Sequence, residues 1–324
     1  MSTLTGEAAP APPAPAVLPR GRRIRALRDL LARNPVVIKE LRGRMRGPRA
    51  FVVLTVYLLL MSSFVTLLYV VYVASTSNVF NGSSGQLIGK FVFGSVVGIE
   101  LLLVCFIAPA FTAGAISGER ERQTYDLLRT TLLPASALVL GKLISALSYI
   151  LLLLLAAFPL QSLAFLLGGV APEEVLIATG LLIATAFLFG TSGVFFSSLM
   201  RRTLGSTVLT YGFALLATLG LPLILAALVP LSSLLFNNTP PSATVEAVIL
   251  YVFGLLVATN PIATAVATEV LLVQQQTAFY FTVPLSNGAN LPLISPWLPY
   301  ILFCCVFGTL MTIGSILAVR QAER

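Results

Sequence analysis

The chain has 324 residues, 57% of them hydrophobic and only 10% charged, with a mean hydropathy of +0.95. A water-soluble domain carries about 25% charged residues to keep its surface wet, so this composition excludes an ordinary soluble fold and calls for a bilayer. A formal charge of +8, no His, and three Cys (Cys105, Cys304, Cys305) inside apolar runs argue against a metal or cofactor site, a disulfide framework and His-based catalysis.

Residues 1–19 are Ala/Pro-rich and without periodicity, and read as a disordered tail. Their polar start is the reverse of a signal peptide's order. Residues 20–50 read as a basic amphipathic connecting helix. Ile24, Leu27 and Leu31 recur at helical spacing, Asn34-Pro35 restarts the helix, and Ile38, Leu41 and Met45 then face Lys39, Arg42, Arg44, Arg46 and Arg49. That pattern suits a helix lying on anionic membrane lipids; a solvated basic helix is the competing reading.

Residues 51–324 form the transmembrane domain. An apolar helix needs about 20 residues to cross the hydrocarbon core, which places six crossings near 51–73, 91–117, 142–167, 175–199, 204–235 and 296–319. The predicted fold class is therefore an all-α membrane protein. Between crossings five and six, the apolar segment 245–273 is broken at Asn260-Pro261. Each half is short for a crossing, which favours a re-entrant helical hairpin over two further spans.

Basic residues gather on one side. Eleven of the twenty precede residue 51, and Arg120, Arg122, Arg129, Lys142, Arg201, Arg202, Arg320 and Arg324 flank helix ends of the same polarity, leaving Lys90 alone opposite. The distribution is that of a positive-inside membrane protein with both termini cytoplasmic, and gives no groove for nucleic acid.

Two features lie outside ordinary membrane packing. Glu100 is the one ionisable residue well inside a predicted crossing. Such a group costs about 2.5–3.5 kcal/mol on insertion scales, so it serves the translocation path, as a substrate or cation contact, or makes a structural hydrogen bond to another helix, or sits in the outer third where water reaches it. The second feature is the link between crossings two and three, SGERERQTYDLLRTTLLPASALVLGK (117–142). Glu119, Arg120, Glu121, Arg122, Thr124 and Asp126 lie there beside Tyr125, Leu127 and Leu128. Large apolar side chains among charges suit a helix that docks into a groove on a soluble partner; resting on the membrane is the plainer alternative.

This link resembles the coupling segment of ABC type-2 transporter permeases, at Gly118, Glu119, Arg120, Glu121, Thr124, Asp126, Leu127, Leu128, Pro134, Gly141 and Lys142. It departs from the family pattern at Leu133-Pro134-Ala135, where Pro-Leu-Ser is more usual. NPVVIKELRGRMRGPRAF (34–51), FFSSLMRRT (195–203) and the Pro-Trp start of the last helix are similar to the same family. The resemblance implies a permease subunit of an ATP-driven exporter in a bacterial plasma membrane. It implies as partners an ABC ATPase subunit and a second permease copy or homologue, with residues 118–141 as the coupling helix. No G-x-x-x-x-G-K-[ST] loop occurs, so ATP hydrolysis is expected in the partner and no cofactor in this chain. A stand-alone secondary transporter would show several intramembrane charges, and a membrane enzyme a cluster of acids or a nucleophile; neither pattern is present.

Overall fold

The structure, a computed structural model, describes residues 48–76, 84–124, 134–220, 222–224, 242–275 and 277–322. The tail at 1–19, the connecting helix up to residue 47, residues 125–133 and the end of the fifth crossing lie outside the described residues.

Helices carry the fold: α1 (Pro48–Thr76), α2 (Ser84–Thr112), the one-turn α3 (Ser117–Glu121), α4 (Ala135–Leu167), α5 (Pro172–Leu199), α6 (Thr203–Leu215), α7 (Ala243–Val257), α8 (Pro261–Gln275) and α9 (Trp297–Ala322). Six of these segments, α1, α2, α4, α5, α9 and α6 with its extension, are long and apolar enough to cross a membrane. The protein is an all-α membrane protein. In a medium that cannot hydrogen-bond, a helix satisfies its own backbone, and this leaves the side chains to decide packing.

Two helix starts lie seven residues earlier than the sequence reading places them. Helix α2 starts at Ser84 rather than at 91, which brings Lys90 into the helix. Helix α4 starts at Ala135 rather than at 142, because Pro134 supplies an extended entry residue and the run behind it is already helix-forming. The segment 118–141 is thus not one helix. It comprises α3, a turn at Gln123 in the left-handed region (φ 58°), and the first turns of α4, with 125–133 outside the described residues.

Helix α5 is the axis of the bundle. It carries no charged residue beyond its first turn, and Glu174 and a near-continuous run from Leu181 to Ser198 are buried, which marks a helix surrounded by others. Small residues let neighbours approach its backbone. A side chain on Gly193 would collide with Thr112 of α2, and side chains on Gly308 and Gly314 of α9 would collide with Phe187 and Phe195. Leu181, Leu188, Phe189, Ile150, Leu101 and Tyr300 meet in the central core, where the Thr185 and Tyr300 hydroxyls lie 2.7 Å apart. Helix α1 packs by Tyr57 and Met61 against Val92, Phe93 and Val96 of α2, and most of its other large side chains are exposed.

Helices α7 and α8 turn through 119° at Asn260-Pro261. Each has 15 residues, about 22 Å at 1.5 Å per residue, short of a roughly 30 Å core. Both outer ends of this pair attach to one β-hairpin, β1 (Tyr280–Pro284) paired antiparallel with β2 (Asn290–Ile294). Glu246 accepts the Ser286 N–H at 3.0 Å and hydroxyl at 2.7 Å, while Gln275 brackets Thr282 with two hydrogen bonds of 3.1 Å. The outer ends of the helical pair are therefore tied to one β-hairpin, and the two helices make a sharply bent pair. The sequence reading missed the strands; Asn287-Gly288, with Gly288 at φ 80°, is the turn signal that marks them.

Candidate functional site

Helix α2 ends at Thr112, and the chain turns through 113–116 into α3. The serines near the end of α5 hold this turn. Ser197 Oγ accepts the N–H groups of Ile116 and Ser117, each at 2.9 Å, and sits 3.1 Å from Ser117 Oγ. Those N–H groups begin a new helix and have no carbonyl behind them, so a buried hydroxyl is the partner they need. Ser206 of α6 donates to the Ala113 carbonyl at 2.5 Å.

Each of the next three charged residues then reaches a different helix. Glu119 Oε1 accepts from Lys142 Nζ of α4 at 2.7 Å, and its other oxygen accepts the Thr124 hydroxyl. Arg120 Nη1 donates to the carbonyls of Ser198 at 2.8 Å and Met200 at 3.3 Å, at the carbonyl-rich C-terminus of α5. Glu121 accepts the N–H of Thr203 at 3.2 Å and its hydroxyl at 2.5 Å, so a carboxylate caps the N-terminus of α6. Three consecutive charges of alternating sign thus fasten the exit of α2 to α4, α5 and α6 together. Beside this clamp lies a cleft of about 510 Å³ lined by Phe111, Gly114, Gly118, Glu119, Arg122 and Thr203.

Of the residues singled out from the sequence, the structure brings Glu119, Arg120, Glu121 and Thr124 into these contacts and leaves Arg122 exposed. Tyr125, Asp126, Leu127 and Leu128 lie outside the described residues. The sequence reading named Lys142 only as a match to the family's coupling segment and 195–203 only as a family-like stretch, and did not bring Ser197, Ser198, Thr203 or Ser206 to this site. Their signal was a pair of serines closing an apolar run and a Gly-Lys inside another.

Glu100 stands apart from this cluster. It is wholly buried between helices, and its Oε2 accepts from Gln161 Nε2 of α4 at 2.8 Å. At the other end of the bundle Lys90 and Glu174 join α2 to α5 at 3.4 Å.

A further polar tie explains an irregularity in α6. Its helix loosens into a π turn at Leu216–Gly220, and Asn260 donates to the Ala217 and Thr218 carbonyls at 2.6 and 2.9 Å. The same side chain accepts the Ala263 N–H at 2.8 Å, capping α8.

No curated protein matches this chain. Residues 34–310, most of the 324-residue sequence, match the family described as ABC-2 family transporter protein. The matched range takes in the crossings from α1 through most of α9 and the whole clamp at the exit of α2. The chain belongs to the ABC-2 family and is an ABC transporter permease.

Proposed function

We propose that this permease is the membrane subunit of an ATP-driven exporter in a bacterial inner membrane. It pairs with a second permease copy or homologue and draws its power from a separate nucleotide-binding subunit. Both termini face the cytoplasm, and the clamp at the exit of α2 lies on that side. The basic residues support this orientation, since Arg120, Arg122, Lys142, Arg201, Arg202 and Arg320 all fall at the clamp's end of the bundle.

One observation carries the mechanism. Three consecutive residues, Glu119, Arg120 and Glu121, grip α4, α5 and α6. A displacement of the segment that follows them is therefore delivered to three helices at once, not to a slack loop. Alternating access needs this kind of rigid-body drive. The charges bind the exit to its own bundle, so the partner's purchase falls to Tyr125, Leu127 and Leu128, whose burial against an ATPase would contribute about 1.5–3 kcal/mol each. Division of labour follows: the apolar residues hold the partner, and the charged ones transmit.

The test is copurification. Leu127→Asp together with Leu128→Asp is expected to release the ATPase during detergent purification while the helical bundle stays folded by circular dichroism. Full recovery of ATPase with the double variant, with stimulated hydrolysis unchanged, overturns the coupling role.

A further inference from the structure

Glu100 of α2 and Gln161 of α4 share a single hydrogen bond, Nε2 donating to Oε2 at 2.8 Å. Glu100 is fully buried and Gln161 is 4% exposed. Among the described residues, each keeps one buried oxygen without a partner, Glu100 Oε1 and Gln161 Oε1. An ionised carboxylate only accepts, so in that form neither oxygen can serve the other. One added proton closes the count. A hydrogen on Oε1 would give Glu100 a donor for the unpartnered Gln161 Oε1 and, with the Nε2–Oε2 bond already in place, a ring of two reciprocal bonds.

The surroundings favour the neutral form. Lys90, ten positions earlier on α2, stands roughly 15 Å away along the helix and is engaged with Glu174. On its far side Gln161 borders an apolar groove of about 360 Å³ formed by Phe158, Phe165, Val175 and Leu176. A bare carboxylate with one neutral donor in such a place is costly, whereas a satisfied acid–amide pair is not.

We propose that Glu100 is held as a neutral carboxylic acid, a proton-binding site at the α2–α4 contact whose proton closes a cyclic pair with Gln161. Glu100 is then a positioning residue that locks two helices, and carries no charge for substrate or cation to meet. The inference rests on the helix packing and stands whether or not an ATPase drives the bundle.

Infrared difference spectroscopy of the purified full chain in lipid tests it. The wild-type minus Glu100→Gln spectrum is expected to contain a protonated-acid carbonyl band that shifts in D2O. In Gln161→Leu, or Gln161→Met where the former does not assemble, that band is expected to move to higher frequency as its hydrogen bonds are lost. Glu100→Gln itself is expected to assemble with an apparent Tm within about 2 °C of wild type, because an amide–amide pair closes the same ring, while Glu100→Leu falls well below it. A difference spectrum containing only carboxylate stretches, a band unmoved by the Gln161 variants, or failure of Glu100→Gln to assemble overturns the proposal.

Discussion

The Lys142 ammonium and the Glu119 carboxylate meet at 2.7 Å across 23 positions of sequence. The contact closes the whole link between α2 and α4 into a loop with a fixed base, so its ends cannot move independently. Lys142 is the more deeply placed partner, its side chain 7% exposed against 26% for Glu119.

That asymmetry sets the order of effects. Glu119→Ala removes the carboxylate beside a nearly buried ammonium, while Lys142→Ala leaves a carboxylate that water reaches. With solvent screening discounted, Glu119→Ala is expected to cost about 1–3 kcal/mol and Lys142→Ala less. Thermal unfolding in detergent reads the order, and a double-mutant cycle should give a coupling energy well above that of a surface pair. If the two single variants and the double all unfold with wild-type Tm, the base of the loop is not where stability lies.

Asn260 joins three backbone groups on two segments, accepting the Ala263 N–H and donating to the Ala217 and Thr218 carbonyls. Its replacement by Ala strips a helix cap and leaves buried carbonyls unsatisfied, and is expected to cost about 1–3 kcal/mol. Hydrogen exchange should rise at the Ala263 N–H in the first turn of α8, which loses its acceptor, and in 216–220 as the π turn loosens without the donor to its carbonyls. Uniform exchange across the bundle, or none, would contradict a local tie.

Topology has its own test. If the proposed orientation holds, with the clamp cytoplasmic and the α7–α8 hairpin opposite, a cysteine at Ser242 should react with an impermeant reagent added to intact cells, and a cysteine at Arg202 should react only after permeabilisation. The free cysteines Cys105 and Cys304 are buried, which leaves a low background, and the exposed Cys305 is first changed to Ser. Labelling of Arg202→Cys from outside reverses the orientation.

The apolar helices were legible because length is the whole criterion: a run of about 20 apolar residues has one stable arrangement in lipid. The break at Asn260-Pro261 was legible for a similar reason, since a residue that caps followed by one that lacks an N–H marks a helix start. The hairpin at 280–294 went unread. Its strands are five residues each, too short to compete with the hydropathy of the helices around them. The start of α4 was placed late for a related reason: Gly141-Lys142 looks like an aqueous boundary, yet Lys142 is buried because a carboxylate from another segment meets it.

The sequence by itself determined the solvent this protein lives in and the apolar runs that become its membrane-length helices, and it supplied the basis on which the sense of the crossings and the partner-binding stretch are proposed. All of these follow from local composition and from charge counted along the chain. The tertiary structure decided which charge faces which. Glu119, Arg120 and Glu121 read as a solvated, partner-seeking row, and became a clamp only when α4, α5 and α6 brought Lys142, two backbone carbonyls and Thr203 to meet them. Glu100 read as an isolated intramembrane charge until α4 placed Gln161 beside it. The physical reason is common to both. A buried polar group must find its partner, and in a helical bundle that partner lies on another helix, dozens of residues away, at a distance that no local pattern records.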